Sequence, residues 1–375
     1  MKVLLGLSGG VDSAISAYLL KKAGYEVTGA FMRNWDAMTN NDYLGNPTIN
    51  DDQCPQEKDY SDAKAVAERL GIPLLRCDFV KEYWDEVFAY FLSEYKKGRT
   101  PNPDVLCNKY IKFDSFFSYA KAQGFDQIAM GHYAKRGTFE GHDYLFKPKD
   151  LAKDQTYFLC QINEKQIQSC LFPMSDITKF ETRAIAKELG LVEVASKHGS
   201  TGVCFIGERR FREFLQNYFP ATKGQIVDID NGKVLGEHMG VLYYTLGQRK
   251  GLGIGGVKGE SDEAWFVCKK DVRQNILYVA HGLADEHLNS DSCLLTDVNW
   301  IGPKSESPLQ IGVKFRYRQP DQPCTLVFEG EKVHLLYAKA YQAVTPGQFA
   351  VFYLNGRMLG GGIIDQTFYR GVQVG

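Results

Sequence analysis

Ser8-Gly9-Gly10-Val11-Asp12-Ser13 lies between a short apolar run, Lys2 to Leu7, and a segment carrying Ala14, Ala17, Tyr18 and Leu20 at helical spacing. A strand, a glycine turn and a helix in succession point backbone N–H groups and a positive helix end at an anion. A loop organised for γ-phosphoryl transfer would read G-x-x-x-x-G-K-[ST]. Here Val11, Asp12 and Ser13 follow Gly10, with no lysine, and the dinucleotide pattern G-x-G-x-x-G is also missed. The stretch reads as a phosphate holder without a kinase's lysine. The bland alternative is an ordinary strand-to-helix turn.

Two cysteines sit where chemistry is feasible. Cys107 falls in "GRTPNPDVLCNKYIKFDSFF". Its prolines end one helix, Asp104 is a candidate N-cap for the next, and Leu106, Tyr110, Phe113 and Phe117 form an apolar stripe. That spacing puts Cys107 in a first helical turn, where exposed N–H groups favour a thiolate. A helix end contributes about 0.3–1 kcal/mol, under one pKa unit at about 1.36 kcal/mol each. A cation or bound substrate must therefore add to it, and a buried first-turn residue is the plainer reading. Cys204 lies in "GSTGVCFIGE", where small residues would let a thiol swing but equally describe any loop.

The "SGGVDS" loop resembles that of the ATP pyrophosphatases, through Ser8, Gly9, Gly10, Asp12 and Ser13. Such enzymes cleave between the α- and β-phosphates and adenylate an oxygen so that it can leave. An adenylating loop with two loop-flanked thiols narrows the chemistry to sulfur transfer. A persulfide on one thiol supplies sulfur, and the other resolves it as a disulfide.

These groups need a scaffold. Strand candidates at 3–7, 27–32, 74–78 and 127–130 alternate with helical patterns at 13–23, 61–70, 81–95 and 106–122. Alternation predicts an α/β doubly wound parallel sheet with its site at the carboxyl ends of the strands, where Gly6 to Ser13, Met32, Gly131 and His132 all fall. A further helix spans 180–189, and another helical stretch runs through Tyr218. From Gly224 the texture becomes β-rich, with Asn-Gly in "DIDNGKVLGEH" and "VFYLNGRMLGG", a strong hairpin signal. The expected organisation is a catalytic domain over 1–215, a small mostly-β domain over 216–282 and a C-terminal β-barrel over 283–375.

At 375 residues, 44% hydrophobic and 24% charged with formal net charge −1, the chain has the composition of a globular protein of two or three domains. No apolar run approaches the roughly 18 residues a bilayer span needs, and no signal peptide is evident, so the cytoplasm is expected. Nine cysteines without C-x-x-C spacing argue against a disulfide scaffold, a structural metal or an iron–sulfur cluster. Basic groups such as Lys96, Lys97 and Arg99, or Arg209, Arg210 and Arg212, read individually as solvated faces.

Stretches from end to end carry a broader resemblance: "GLSGGVDS", "GRTPNPDVLCNKYIKF", "MGHYA", "KDQTYFL", "STGVCFIGERRFREFL", "YYTLGQRKGLGIGG", "KFRYRQPD", "VTPGQ" and "GGGIID". In these the chain resembles the tRNA-specific 2-thiouridylases (MnmA/TrmU). The resemblance implies that Gly6, Leu7, Ser8, Gly9, Gly10, Val11, Asp12, Ser13, Met32 and Gly131 bind ATP, with Mg2+. It implies that Asn102, Pro103 and Asp104 contact the target uridine, Asp104 being suited to acid–base work. Cys107 would be the nucleophile and Cys204 the persulfide carrier. His132, Lys153, Asp154, Gln155, Arg316, Tyr317 and Gln348 would touch tRNA. The reaction would exchange the 2-oxygen of the wobble uridine for sulfur in tRNAs for lysine, glutamate and glutamine, with a cysteine desulfurase or relay protein as donor. Gly199, Met239 and Ala264 depart from the family pattern, Gly199 standing where an aspartate is expected near Cys204. An amide-forming synthetase would explain the loop equally well but leaves both thiols idle. A tRNA-binding module with a vestigial nucleotide site is the non-enzymatic alternative, disfavoured by the intact Ser8, Asp12 and Ser13.

Overall fold

The computed structural model describes residues 1–47, 55–191, 209–254, 263–283, 285–304 and 306–374. Strand β1 (Lys2–Gly6) sends Val3 and Leu5 into one apolar core and Leu4 into another. A strand buried on both faces needs cover on both, which is the arrangement of a parallel α/β sheet. β1 lies between β2 (Glu26–Arg33) and β4 (Gln127–Ala129), with β3 (Leu74–Asp78) and β7 (Cys170–Leu171) outermost, all parallel. The four longer strands match the periodicity. β7 has only two residues, too few to leave a pattern. The first helix, α1 (Val11–Lys22), runs from β1 towards β2, while β4 pairs with the other edge of β1. The chain thus changes direction between β1 and β4, and a crevice opens at their carboxyl ends.

The helical run after Pro101 differs from the expected one in two respects. It starts at Pro103, with Asn102 in the N-cap position, so Asp104 belongs to its first turn instead of capping it. The turn Pro103–Leu106 then gives way to Cys107–Ser115, wound with the wider i→i+5 pattern, before Phe116–Ala122 resumes as α-helix. The winding resets the buried face. Cys107, Ile111, Phe116 and Ala120 are buried, whereas Tyr110 and Phe117 of the expected stripe are partly exposed. The step of five from Ile111 to Phe116 is the extra residue per turn that such a bulge inserts. Leu106 and Phe113 of that stripe are buried as the spacing requires, so period-3.6 reasoning misplaces only Tyr110 and Phe117.

The middle region forms a four-stranded sheet in the order β10 (Trp265–Asp271), β11 (Ile276–His281), β8 (Gly224–Asp228), β9 (Val234–His238). Beyond it, β12 (Asn289–Trp300), β15 (Lys332–Gln342), β14 (Gln322–Glu329), β13 (Leu309–Lys314), β16 (Phe349–Leu354) and β17 (Arg357–Tyr369) pair antiparallel in that order. Strand β17 then closes on β12, giving a barrel. Between β16 and β17, Asn355 and Gly356 both have positive φ, 52° and 76°, as a two-residue turn of the I′ kind requires.

One contact was not legible. The hairpin of β5 (Lys135–Phe139) and β6 (His142–Phe146), inserted just after β4, adds to the barrel sheet by pairing β6 with β17. Arg357 of β17 lies over the Phe139 and Tyr144 rings, 3.7 and 4.7 Å from their centres. The hairpin inserted after β4 therefore belongs to the barrel's hydrogen-bonded sheet, and the parallel-sheet half and the barrel share one apolar core. No described helix is long and apolar enough to cross a membrane.

Candidate active site

The loop after β1 is shaped by its serines and glycines. The Ser13 hydroxyl donates to the Gly10 carbonyl at 2.9 Å and accepts from the Ser8 N–H at 3.2 Å. Gly9 has φ +73°, and a Cβ there would lie 2.6 Å from the Asp59 carbonyl oxygen, so only glycine fits. Gly131, from the end of β4, packs against the start of α1, where a Cβ would meet the Ser13 nitrogen at 3.1 Å. A Cβ on Gly6 would touch the Met130 sulfur and the Met32 methyl, each at 3.0 Å. The structure thus brings Gly6, Ser8, Gly9, Gly10, Ser13, Met32 and Gly131 together at the β1–β4 crevice. Leu7 and Val11 are buried, and their side chains anchor the loop in the core instead of facing a ligand.

Asp12 is clamped. Its Oδ1 accepts from the Tyr133 hydroxyl at 3.0 Å and the Lys179 ammonium at 2.6 Å, and Tyr133 also bonds Thr182 at 3.0 Å. Tyr133, Lys179 and Thr182, joined to Asp12 by these bonds, were not among the residues expected from the sequence. A usable signal existed: Thr178 and Glu181 form a capping box, the T-x-x-E pattern that fixes the start of the helix Lys179–Glu188.

Cys107 is fully buried in the core that also holds Met32 and Met130. Its N–H bonds back to the Pro103 carbonyl, so it sits two residues deeper than expected, past the first turn, and the helix-end field is weaker there. Asn108 ties this helix to the Asp104 and Phe158 carbonyls, at 3.0 and 3.1 Å. Burial pushes other thiols out of the reactive range: Cys77 up to about 11, and Cys268, Cys293 and Cys324 up to about 12. Cys204 and Gly199 lie outside the described residues. Beyond them the Arg209 guanidinium is buried against Asp42 at 2.8 Å, while Asp42 also accepts from the Trp35 indole at 3.0 Å. Phe214 packs on Trp35 and Phe88, with ring centres 6.2 and 5.9 Å apart.

Three family models match the chain in succession: a tRNA methyl transferase HUP domain over residues 1–208, a tRNA methyl transferase PRC-barrel domain over 212–281, and an aminomethyltransferase β-barrel domain over 290–364. Curated relatives named tRNA-specific 2-thiouridylase MnmA match it nearly end to end. Those from Mycoplasma mycoides and Mycoplasma capricolum are each 53% identical, across 98% of this chain and 99% of theirs. One from Ureaplasma urealyticum is 50% identical across 98% of this chain and 96% of its own. The chain belongs to the tRNA-specific 2-thiouridylase family.

The thiouridylase-like residues expected at the RNA face divide into two groups. Asn102 and Gln348 meet across the seam between helix and barrel: the Asn102 amide lies 3.4 Å from the Gln348 oxygen, and Gln348 donates to the Thr100 carbonyl at 2.8 Å. Gly347 permits this approach, since a Cβ there would sit 3.0 Å from Thr100 backbone atoms. Tyr317 packs against Phe158 with the rings tilted 42° and their centroids 4.4 Å apart, and Lys153 is exposed. The second group is held by other contacts. Asp154 is buried with Lys314, the Gln155 oxygen accepts the Tyr133 N–H at 2.9 Å, and Arg316 donates to the Leu246 and Ala343 carbonyls. His132 is buried, its Nδ1 without a hydrogen bond among the described residues, and burial with nearby Lys112 keeps its imidazole well below the usual histidine range. Several of the basic groups read as solvated faces are likewise paired: Lys97 with Glu94, Arg99 with Glu94 and Asp365, Arg210 with Glu213.

Proposed function

We infer that this chain is an ATP-dependent tRNA-uridine 2-sulfurtransferase that converts the wobble uridine of lysine, glutamate and glutamine tRNAs to 2-thiouridine. One observation supports the reading most: Met32 and Met130, which a Cβ on Gly6 at the start of the loop would touch, belong to the same apolar core as Cys107, so the thiol's core borders the nucleotide loop. A carbonyl oxygen is a poor leaving group. Attack of the uridine 2-oxygen on the α-phosphorus breaks the Pα–O–Pβ bond, pyrophosphate departs with the electron pair, and the oxygen now leaves as AMP. The terminal persulfide sulfur on Cys204 replaces it, directly or as hydrosulfide released by Cys107. Either route ends with a Cys107–Cys204 disulfide, and an external thiol reductant regenerates the pair.

Asn102, Pro103 and Asp104 begin the helical run that carries Cys107 and would receive the splayed-out base, with Asp104 moving the proton. Extruding a base from a loop already single-stranded costs a few kcal/mol. His132, Lys153, Gln155, Arg316, Tyr317 and Gln348 would frame the RNA, and Asp154 would act from within that frame. Mg2+ would enter with ATP. Both hydrogen bonds to Asp12 fall on Oδ1, so Oδ2 and the Ser13 hydroxyl are oxygens of the kind this cation takes alongside phosphate. A cysteine desulfurase or relay protein would load Cys204, in the cytoplasm. We place the units at 1–215, 216–282 and 283–375; packing of Phe214 on Trp35 supports keeping the chain as far as Leu215 with the first unit.

Nucleoside mass analysis of unmodified tRNA after incubation with the protein, ATP, Mg2+, sulfide and reductant tests this. ATP-dependent 2-thiouridine, abolished in Cys107→Ser, is the expected result. Cys204→Ser should lose turnover with a persulfide donor. Pyrophosphate release with no sulfur in the RNA would overturn the reading in favour of another adenylating reaction.

A further inference from the structure

We propose that Arg99 is a positioning residue: it ties the turn Asn102–Asp104 to the barrel, so that the barrel sets where the target uridine stands relative to Cys107. The assignment rests on the reading of that turn given above and deepens it.

The stretch from Gly98 to Asp104 has little means of holding itself. Pro101 and Pro103 have no N–H to give. Gly98, with φ +81°, ends the helix Ala89–Lys96, and the Arg99 N–H closes that end on the Glu94 carbonyl at 3.0 Å. Thr100 then finds its backbone partners on the barrel. Its N–H donates to the Pro346 carbonyl at 3.0 Å, and its carbonyl accepts from the Gln348 amide at 2.8 Å.

Arg99 completes the grip. Its guanidinium donates to Asp365 Oδ1 at 2.7 Å and to the Ile364 carbonyl at 3.0 Å, both on β17. Its Nε lies 2.8 Å from Glu94, whose carboxylate is only 4% exposed. Ile364 is itself bonded to the loop that holds Thr100. Its carbonyl accepts the Gly347 N–H and its N–H donates to the Gln348 carbonyl, each at 2.8 Å. The links form a closed ring: Arg99 to Ile364, Ile364 to Gln348, and Gln348 back to Thr100. A planar fork of donors serves a helix end and a strand at once, which a compact ammonium does not.

The ring reaches the turn directly, since the Gln348 oxygen lies 3.4 Å from the Asn102 amide. Cys107 is fixed separately, by burial in the apolar core. Loosening the ring therefore shifts the uridine-receiving turn while the thiol stays in place. A misplacement of about 1 Å between reacting groups can cost about a hundredfold in rate. The nucleotide loop contributes no residue to the ring, so ATP affinity should not register its loss.

Two variants break the link without stranding the buried Glu94. Asp365→Ala removes the acceptor on the barrel and keeps the Arg99–Glu94 pair, whereas Arg99→Lys keeps a cation for Glu94 and gives up the fork. Single-turnover thiolation of unmodified tRNA, at saturating ATP and sulfide, should slow at least about tenfold in each. The Kd values for ATP and for tRNA should stay within about threefold. Asp365→Asn, which retains the oxygen that Arg99 donates to, should recover most of the rate. Combining Arg99→Lys with Asp365→Ala should add little, because both break one link. Lys97→Met, which removes the other cation beside Glu94 but no bond to the barrel, should keep the full rate. Thermal melts establish that each variant is folded. Unchanged rates in Asp365→Ala and Arg99→Lys, additive losses in the double variant, or rates that fall only in step with ATP and tRNA affinity would overturn the assignment of Arg99 alone. Absence of 2-thiouridine with the unaltered protein would overturn the reading of the site and the assignment with it.

Discussion

Asp154 and Lys314 form a buried ion pair across the seam between the parallel-sheet half and the barrel, 2.8 Å apart with side chains 2% and 9% exposed. The pair is fully dressed. Asp154 Oδ1 accepts from the Thr156 N–H and hydroxyl at 3.0 and 2.6 Å, and Lys314 lies 5.3 Å from the Tyr353 ring centre. Removing one partner strands a desolvated charge, which costs about 3–5 kcal/mol, whereas replacing both with apolar residues is often neutral. Asp154→Leu should lower the urea midpoint sharply, and adding Lys314→Met should restore most of it. Additive losses in the double variant would show that the pair is not coupled.

Gly9 and Gly24 provide a matched comparison. Both have positive φ, +73° and +85°, but a Cβ on Gly9 meets the Asp59 carbonyl at 2.6 Å while one on Gly24 meets nothing within 4 Å. Left-handed strain alone costs about 1–2 kcal/mol. Gly24→Ala should lose that stability and keep its ATP affinity. Gly9→Ala should lose at least about tenfold in ATP affinity, because the loop must move to relieve the collision.

His132 is held below its ordinary value of 6.5 first by burial and then by Lys112. A depressed folded-state value means that the unfolded chain binds the extra proton, so stability is complete above about 6.5 and falls as pH drops below it. His132→Gln should flatten the decline of the urea midpoint between about pH 6.5 and 5. Because burial also lowers His238, part of the slope should remain. An unchanged slope would mean that His132 does not titrate as a buried neutral ring.

Cys77, Cys160, Cys170, Cys268, Cys293 and Cys324 are buried, and desolvation raises every one of them. The thiolate is the reactive form. Brief iodoacetamide treatment at pH 7.5 followed by peptide mass mapping should leave these six unmodified until denaturant is added. Labelling of any of them in the native protein would contradict its packing.

The local chemistry was written in the sequence. The strand–glycine–helix order of Leu4 to Leu20 was legible, and the β1–β4 crevice followed from alternation because strands and helices leave different periods. Asn355-Gly356 specified its turn through backbone sterics alone. The i→i+5 winding after Cys107 was not legible, since it adds Phe116 and Ala120 to the buried face and leaves Tyr110 and Phe117 partly exposed without any change of composition. Nor was the pairing of β6 with β17, which is decided by hydrogen bonds between segments about two hundred residues apart.

The distinction is sharpest at Asp12 and Asp154. As sequence, both are acidic residues in motifs of suggestive spacing. Only the fold places Lys179 on the first and buries the second against Lys314. Sequence sets which groups can carry charge and how each short segment bends, because those are properties of nearby atoms. Which charges face a ligand and which hold domains together depends on burial and distant neighbours, and only the tertiary structure supplies these.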